Sequence, residues 1–177
     1  MKKLFLFALI AFLSINLYAQ KIPYMTQIDK QELRYMDNSP LSIQDWSEYM
    51  YYHQNEYGNT SKEYLATIPK IEEFNTHYKD KYQLLKDEKK NNYVLGSNAK
   101  YLNKKDKMPI VGISPKQLQD YCNWRTKIYN YKVGKKYKIT FTTPNTQDYE
   151  KASKLRKIKG IEKGKDTGNR CVANIEK

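Results

Sequence analysis

From Met108 to Ile128 the chain passes from a short apolar run to a helical stripe, and the remaining pattern is arranged around this passage. β-Branched Ile110, Val111 and Ile113 predict a brief strand over Met108 to Ile113. Ser114 then stops it. Ser114 as N-cap, Pro115 at the first helical position and Gln117 at the third make a capping box. Leu118, Tyr121, Cys122, Arg125 and Ile128 recur at three- and four-residue steps, so one mainly apolar stripe runs along this helix with Cys122 facing the core.

The same patterns recur more weakly on either side. Arg34 to Asp37 predicts a short strand, broken by Asn38-Ser39-Pro40. Ser42 caps the next helix, with Asp45 at its third position and Ile43, Trp46, Tyr49 and Met50 as its stripe. This helix is expected to run to about Asn55, ahead of Gly58-Asn59, and a weaker one covers Ser61 to Ala66 before Pro69. Downstream, Tyr137, Ile139 and Phe141 alternate with Lys138, Thr140 and Thr142, the pattern of a half-buried strand. Asn145 caps a further helix with Asp148 at its third position and Tyr149, Ala152 and Leu155 inside. Lys157 to Gly168 reads as a basic loop and Arg170 to Ile175 as a last strand. Residues 71–107, rich in Lys and Tyr, carry the weakest pattern; Tyr78, Tyr82 and Leu85 would line a short helix on a surface excursion. The class is α+β, a small sheet with two or three helices.

The first residues change the picture of where this domain works. Lys2 and Lys3, the apolar run Leu4 to Leu13 and the Leu17-Tyr18-Ala19 site before Gln20 read as a secretory signal peptide over 1–19. The run is too short to span a bilayer, and no later apolar stretch is long enough for a transmembrane helix. Residues 20–33 are polar and expected to be an exposed lead-in, and 34–177 a single domain. Export implies the periplasm, the cell surface or the extracellular space. The formal net charge of +13 would attract polyanions, but the lysines are dispersed among Asp and Glu, as on a solvated surface.

Candidate chemistry is sparse. Two cysteines in an exported chain are most simply a disulfide, and closing Cys122 on Cys171 would contribute about 4 kcal/mol in the chain-entropy view. Neither sits in a redox or metal-ligand spacing. His53 and His77, the only histidines, lie far apart in ordinary helical contexts. Glu72-Glu73 and Asp87-Glu88 read as charged faces rather than acid–base pairs. Ser114 lacks the flanking glycines of a nucleophile elbow and is explained as a cap. The helix starts at Ser114 and Asn145 are candidate anion sites, because free backbone donors gather there. Tyr49, Tyr51, Tyr52 and Tyr57 offer either core packing or a glycan-stacking surface. No residue is assigned a catalytic, cofactor or metal role.

Four segments in order carry a resemblance. Pro109 to Ser114 with Tyr121-Cys122-Asn123-Trp124-Arg125 is similar to the PVVGVSW…YCxWR segment of the formylglycine-generating-enzyme-like, or sulfatase-modifying-factor, family. Met36 to Ser42, followed by Trp46 and Tyr49, resembles that family's DxTEVTxxxY region. Thr143 to Ala152 resembles LPTEAEWEYA, with Asn145 for the capping Thr and Tyr149 for Trp. Gly168-Asn169-Arg170-Cys171 resembles GFRC. The resemblance implies an abbreviated C-type-lectin-like domain and pairing of Cys122 with Cys171. Trp46 to Tyr52 is closest to envelope members in Bacteroidetes, including gliding-motility lipoproteins, which implies an envelope protein or glycan as partner.

The departures bear on activity. In the enzymes of that family, the stretch between the last two blocks holds a copper-binding cysteine pair, calcium ligands and much of the substrate cleft. Here only Ser153 to Thr167 separates them, without a cysteine. Pro40 replaces the early Glu and Asn169 the Phe of GFRC. The expectation is a secreted, non-catalytic binding or structural component of the cell envelope. The alternatives are an enzyme with a different or partner-supplied site near Ser114 and Asn145, or a protein that binds polyanions or glycans.

Overall fold

Strands with one apolar residue in two, and helices with one apolar stripe, fold here into a sheet covered on both faces. The computed structural model describes residues 22–79, 81–97, 107–133, 138–162, 165, 166 and 168–176. The elements are β1 (Met25–Asp29), β2 (Arg34–Asp37), α1 (Ile43–Tyr57), α2 (Lys62–Leu65), α3 (Ile71–Tyr78), β3 (Tyr82–Asp87), β4 (Asn92–Ser97), α4 (Pro115–Val133), β5 (Lys138–Thr142), α5 (Thr146–Ser153), β6 (Ile161–Glu162), β7 (Lys165–Asp166) and β8 (Val172–Glu176). The protein is therefore α+β. Residues 1–19, expected to be a signal peptide, lie outside the described residues.

The main sheet has the order β1-β2-β8-β5 with every pair antiparallel. Alternation decides which face each residue serves. Tyr35, Ala173, Ile175, Ile139 and Phe141 join Trp46 and Tyr49 of α1 and Leu118, Tyr121 and Cys122 of α4 in one core cluster. Met36 and Val172, one step out of phase, join Ala152 and Ile158 in a second. Helices α1 and α4 thus line one face, and α5 the other. The predicted caps hold α1 and α5: Ser42 with Asp45, and Asn145 with Asp148, each form a complete capping box.

Three expectations are corrected. The segment 20–33 is not a wholly exposed lead-in, since Ile22 (1% exposed) and Met25 (6%) enter the core and β1 forms the sheet edge. Its remaining strand residues are half-buried and, apart from Ile28, polar, so no clear alternation marks it. Tyr78, Tyr82 and Leu85 do not share a helix. Lys79 leaves α3 at φ +47°, Tyr82 and Leu84 turn inward from β3, and Leu85 is 51% exposed. The hairpin β3–β4 turns at Asn91, also at positive φ. Residues 98–106 of that excursion lie outside the described residues.

The strand expected at Met108 to Ile113 shrinks to one antiparallel bridge, Ser42 with Pro109. Ile43 N–H donates to Met108 O (2.8 Å) and Ile110 N–H to Leu41 O (2.8 Å). Beyond it Gly112 bends the chain at φ +74°, so close to Lys70 that a Cβ would sit 3.0 Å from its carbonyl oxygen. The basic loop after Lys157 contains the two-residue ladder β6–β7. Tyr137 and the turn residues 134–136 are outside the described residues.

Candidate functional site

Asp37 ends β2 and is buried, which a carboxylate tolerates only with partners. Nη1 of Arg125, on α4, donates to both its oxygens at 2.8 Å, and Cys171 N–H donates to Oδ2 at 2.9 Å. Asp37 N–H returns a bond to Cys171 O (3.2 Å), and the Arg125 guanidinium lies 4.4 Å from the Phe141 ring centre. Burial pushes the Asp37 carboxyl upward, while Arg125 and the Cys171 amide pull it back. Arg170, fully buried, donates to Asp37 O (3.2 Å) and Lys159 O (2.9 Å).

Cys171 is also bonded to Cys122 of α4 in a disulfide, with the two Cα atoms 6.1 Å apart. Both cysteines of the chain are in this bond. The thiolate pair that a copper site of the resembling enzymes needs is therefore not present, and the residues here do not fit that metal. No group of three His, Cys, Asp or Glu side chains able to hold a metal ion occurs among the described residues.

The two candidate anion sites are closed by their own side chains. Ser114 N–H donates to Gln117 Oε1 (2.8 Å), Gln117 N–H to Ser114 Oγ (3.2 Å), and Gln117 Nε2 to Ala66 O and Ile68 O. At Asn145 the Asp148 carboxylate already faces the helix start: Oδ2 accepts from Asn145 N–H at 2.8 Å. That carboxylate is neutralised by Arg34, whose Nε and Nη2 donate at 2.5 and 2.6 Å. Ser114 and Asn145 act as caps, and Asp148 as the anion of its own helix.

The exposed chemistry lies between α1 and α4, where large rings hold the helices apart. Trp46 stacks on Tyr121 (centroids 5.5 Å apart), and Tyr49 meets both Tyr121 (5.4 Å) and Trp124 (5.2 Å). Burial pushes the Tyr49 and Tyr121 hydroxyls up, so both stay protonated. Tyr49 is core. Toward solvent follow Tyr52 (5.7 Å from Trp124), His53 (5.4 Å from Tyr52) and Tyr57 (5.6 Å from His53). Lys127 Nζ lies 3.4 Å from the Tyr52 hydroxyl. His53 Nδ1 sits 2.9 Å from Tyr49 O; a carbonyl only accepts, so Nδ1 carries the proton and Nε2 is left as an acceptor. Trp46 Nε1 donates to Thr67 O, whereas Trp124 Nε1 is buried with no partner.

His77 stands apart on α3, beside an open hollow of about 690 Å³ that it lines with Lys70, Ile71, Glu72, Glu73 and Thr76. Around Asp37 several distant stretches of the chain come together. Met36 to Ser42, Tyr121 to Arg125 and Gly168 to Cys171 converge on Asp37, and Thr143 to Ala152 joins through Asp148 and Arg34. Sequence reasoning missed the Asp37–Arg125 and Arg34–Asp148 pairs; the available signal was an Arg standing on an otherwise apolar stripe.

Set against known proteins, the chain matches no family model, no curated protein and no solved structure. The fold and site define it as an α+β protein with a disulfide-clasped polar centre. No helix among the described residues is long and apolar enough to cross a membrane.

Proposed function

We propose that this chain is an exported, non-catalytic, shortened relative of the formylglycine-generating-enzyme-like family, with an abbreviated C-type-lectin-like domain, and a binding or structural component of the bacterial cell envelope. The observation that carries the reading is the use made of the polar centre. Asp37, Arg125 and Arg170 hold β2, α4 and the start of β8 together, and both thiols are tied in the Cys122–Cys171 bond. Groups engaged in this way hold a scaffold and are not free to ligate copper or transfer protons.

The test is direct. Purified protein incubated with copper and a peptide carrying a sulfatase-type cysteine leaves the peptide mass unchanged. Conversion of that cysteine to formylglycine would overturn the reading. Export is checked on the same preparation by its N-terminus, which is expected at Gln20; an intact Met1 in envelope fractions would contradict cleavage after Ala19.

A further inference from the structure

We propose that the solvent end of the seam between α1 and α4 is a binding site for a neutral oligosaccharide, with Tyr52, Tyr57 and Trp124 as stacking rings and His53 and Lys127 as polar contacts. The proposal rests on the reading above of a binding protein and names its ligand class. Isolated surface tyrosines need no explanation. This cluster is different because it is continuous. Successive centroids from Trp124 through Tyr52 and His53 to Tyr57 are 5.7, 5.4 and 5.6 Å apart; the first three rings are half-buried and Tyr57 is 45% exposed.

The polar groups among the rings are of both kinds. His53 Nε2 accepts, Lys127 Nζ donates, and the tyrosine hydroxyls do either. Trp124 Nε1, at the inner end of the cluster, is a buried donor that lacks an acceptor. The Tyr52 hydroxyl is the main group that raises the Lys127 ammonium, and the Glu56 carboxylate adds a weaker attraction. A polyanion would meet Glu56 as well as Lys127. A sugar offers what this surface lacks: C–H faces for the rings, and hydroxyls that donate and accept beside them.

Trp46 and Trp124 are the only tryptophans, and Trp46 is buried with its N–H bonded, so emission changes report on Trp124. Full-length protein is titrated with cellohexaose, chitohexaose and a heparin hexasaccharide, following tryptophan emission. A saturable change with a neutral oligosaccharide is expected, about tenfold weaker in Tyr52→Ala or Tyr57→Ala and weakened several-fold in Lys127→Met. Tyr57 and Lys127 are exposed, so those variants stay informative if Tyr52→Ala fails to fold. No saturable change with either neutral oligosaccharide up to millimolar concentration would overturn the proposal. So would binding to heparin alone that disappears at high salt, which would replace the stacking site with a charge effect. Either result with an unmodified copper-test peptide rejects the sugar site and leaves the non-catalytic reading standing.

Discussion

Two helix–strand units of this molecule share one device and differ in what stands behind it. In α4–β5, the Asn130 carboxamide donates to Ile139 O (2.7 Å) and accepts from Ile139 N–H (2.9 Å). In α3–β3, Asn75 does the same to Leu84, at 3.2 and 2.7 Å. Each asparagine precedes its strand residue by nine positions. An edge strand leaves alternate peptide groups unpaired, and a carboxamide supplies one donor and one acceptor in their place. On α4, Thr126 extends the seal one helical turn back, taking Phe141 N–H at 2.8 Å. Four helical residues rise about 6 Å and two strand residues about 6.8 Å, so the spacings match.

Behind the seals the units diverge. β5 is the fourth strand of the main sheet, and its neighbour β8 is tied to α4 through Cys171, Asp37 and Arg125. Among the described residues β3 has only β4 beside it, supported by Tyr78, Tyr82 and Leu84 in the core and by Tyr64, whose hydroxyl accepts from Tyr93 N–H. An edge seal is local and closes a strand. Depth of support comes from the disulfide and the buried Asp37–Arg125 pair, and among the described residues only the α4–β5 unit has these.

The largest expected effect strikes that difference. Cys122→Ser and Cys171→Ser should each destabilise the protein by about 4 kcal/mol in urea denaturation, and the double variant little more than either. Loss of hydrogen-exchange protection should fall on β5 and β8 before β3 and β4; equal loss in both units would break the contrast. Next, Arg125→Leu should cost about 3 kcal/mol, since it leaves Asp37 buried without its cation. Replacing Asp37 as well, by Leu, should recover part of that loss, and a still less stable double variant would count against the pair as the cause.

Smaller changes sharpen the shared half of the comparison. Asn130→Leu and Asn75→Leu each strip both partners from one strand residue and should cost about 1–2 kcal/mol. Exchange at the freed amide, Leu84 in one variant and Ile139 in the other, should rise in both, while the neighbouring strand amides should loosen by local opening only in the α3–β3 unit. The least effect is electrostatic, at the other sheet edge. The hydrogen bond from Lys151 (2.6 Å) is the main cause that holds the Asp29 carboxyl down to about 2. Because the folded value lies below the unfolded one, the stabilisation is present above the ordinary carboxylate range and is lost as pH falls from about 4 through 2. The stability difference between the native protein and Lys151→Met should shrink over that window; a difference constant with pH would rule out the ion pair.

What was legible in the sequence was local. Ser42 with Asp45, Ser114 with Gln117 and Asn145 with Asp148 could be read because a capping box closes within four residues. Ile139 and Phe141 announced β5 by alternation with polar neighbours. β1 was hidden because Thr26, Gln27 and Asp29 sit half-buried at an edge where polar side chains are tolerated. The hairpin β3–β4 was hidden among lysines, and nothing marks Asn75 or Asn130 as strand seals rather than surface polar residues. The Asp37–Arg125 pair joins residues 88 positions apart, so only the fold brings it into view. At the candidate site, the tyrosines of α1 were visible as a group, but Trp124 and Lys127 come from α4 and complete it only in space.

The central claim is that the Cys122–Cys171 bond clasps the deep unit and leaves no thiol for metal chemistry. Non-reducing peptide mapping of the natively folded protein tests it most directly. The account predicts one disulfide-linked peptide pair containing Cys122 and Cys171, with no alkylation at either position until a reductant is added. Free, alkylatable thiols at both positions in the folded protein would contradict it.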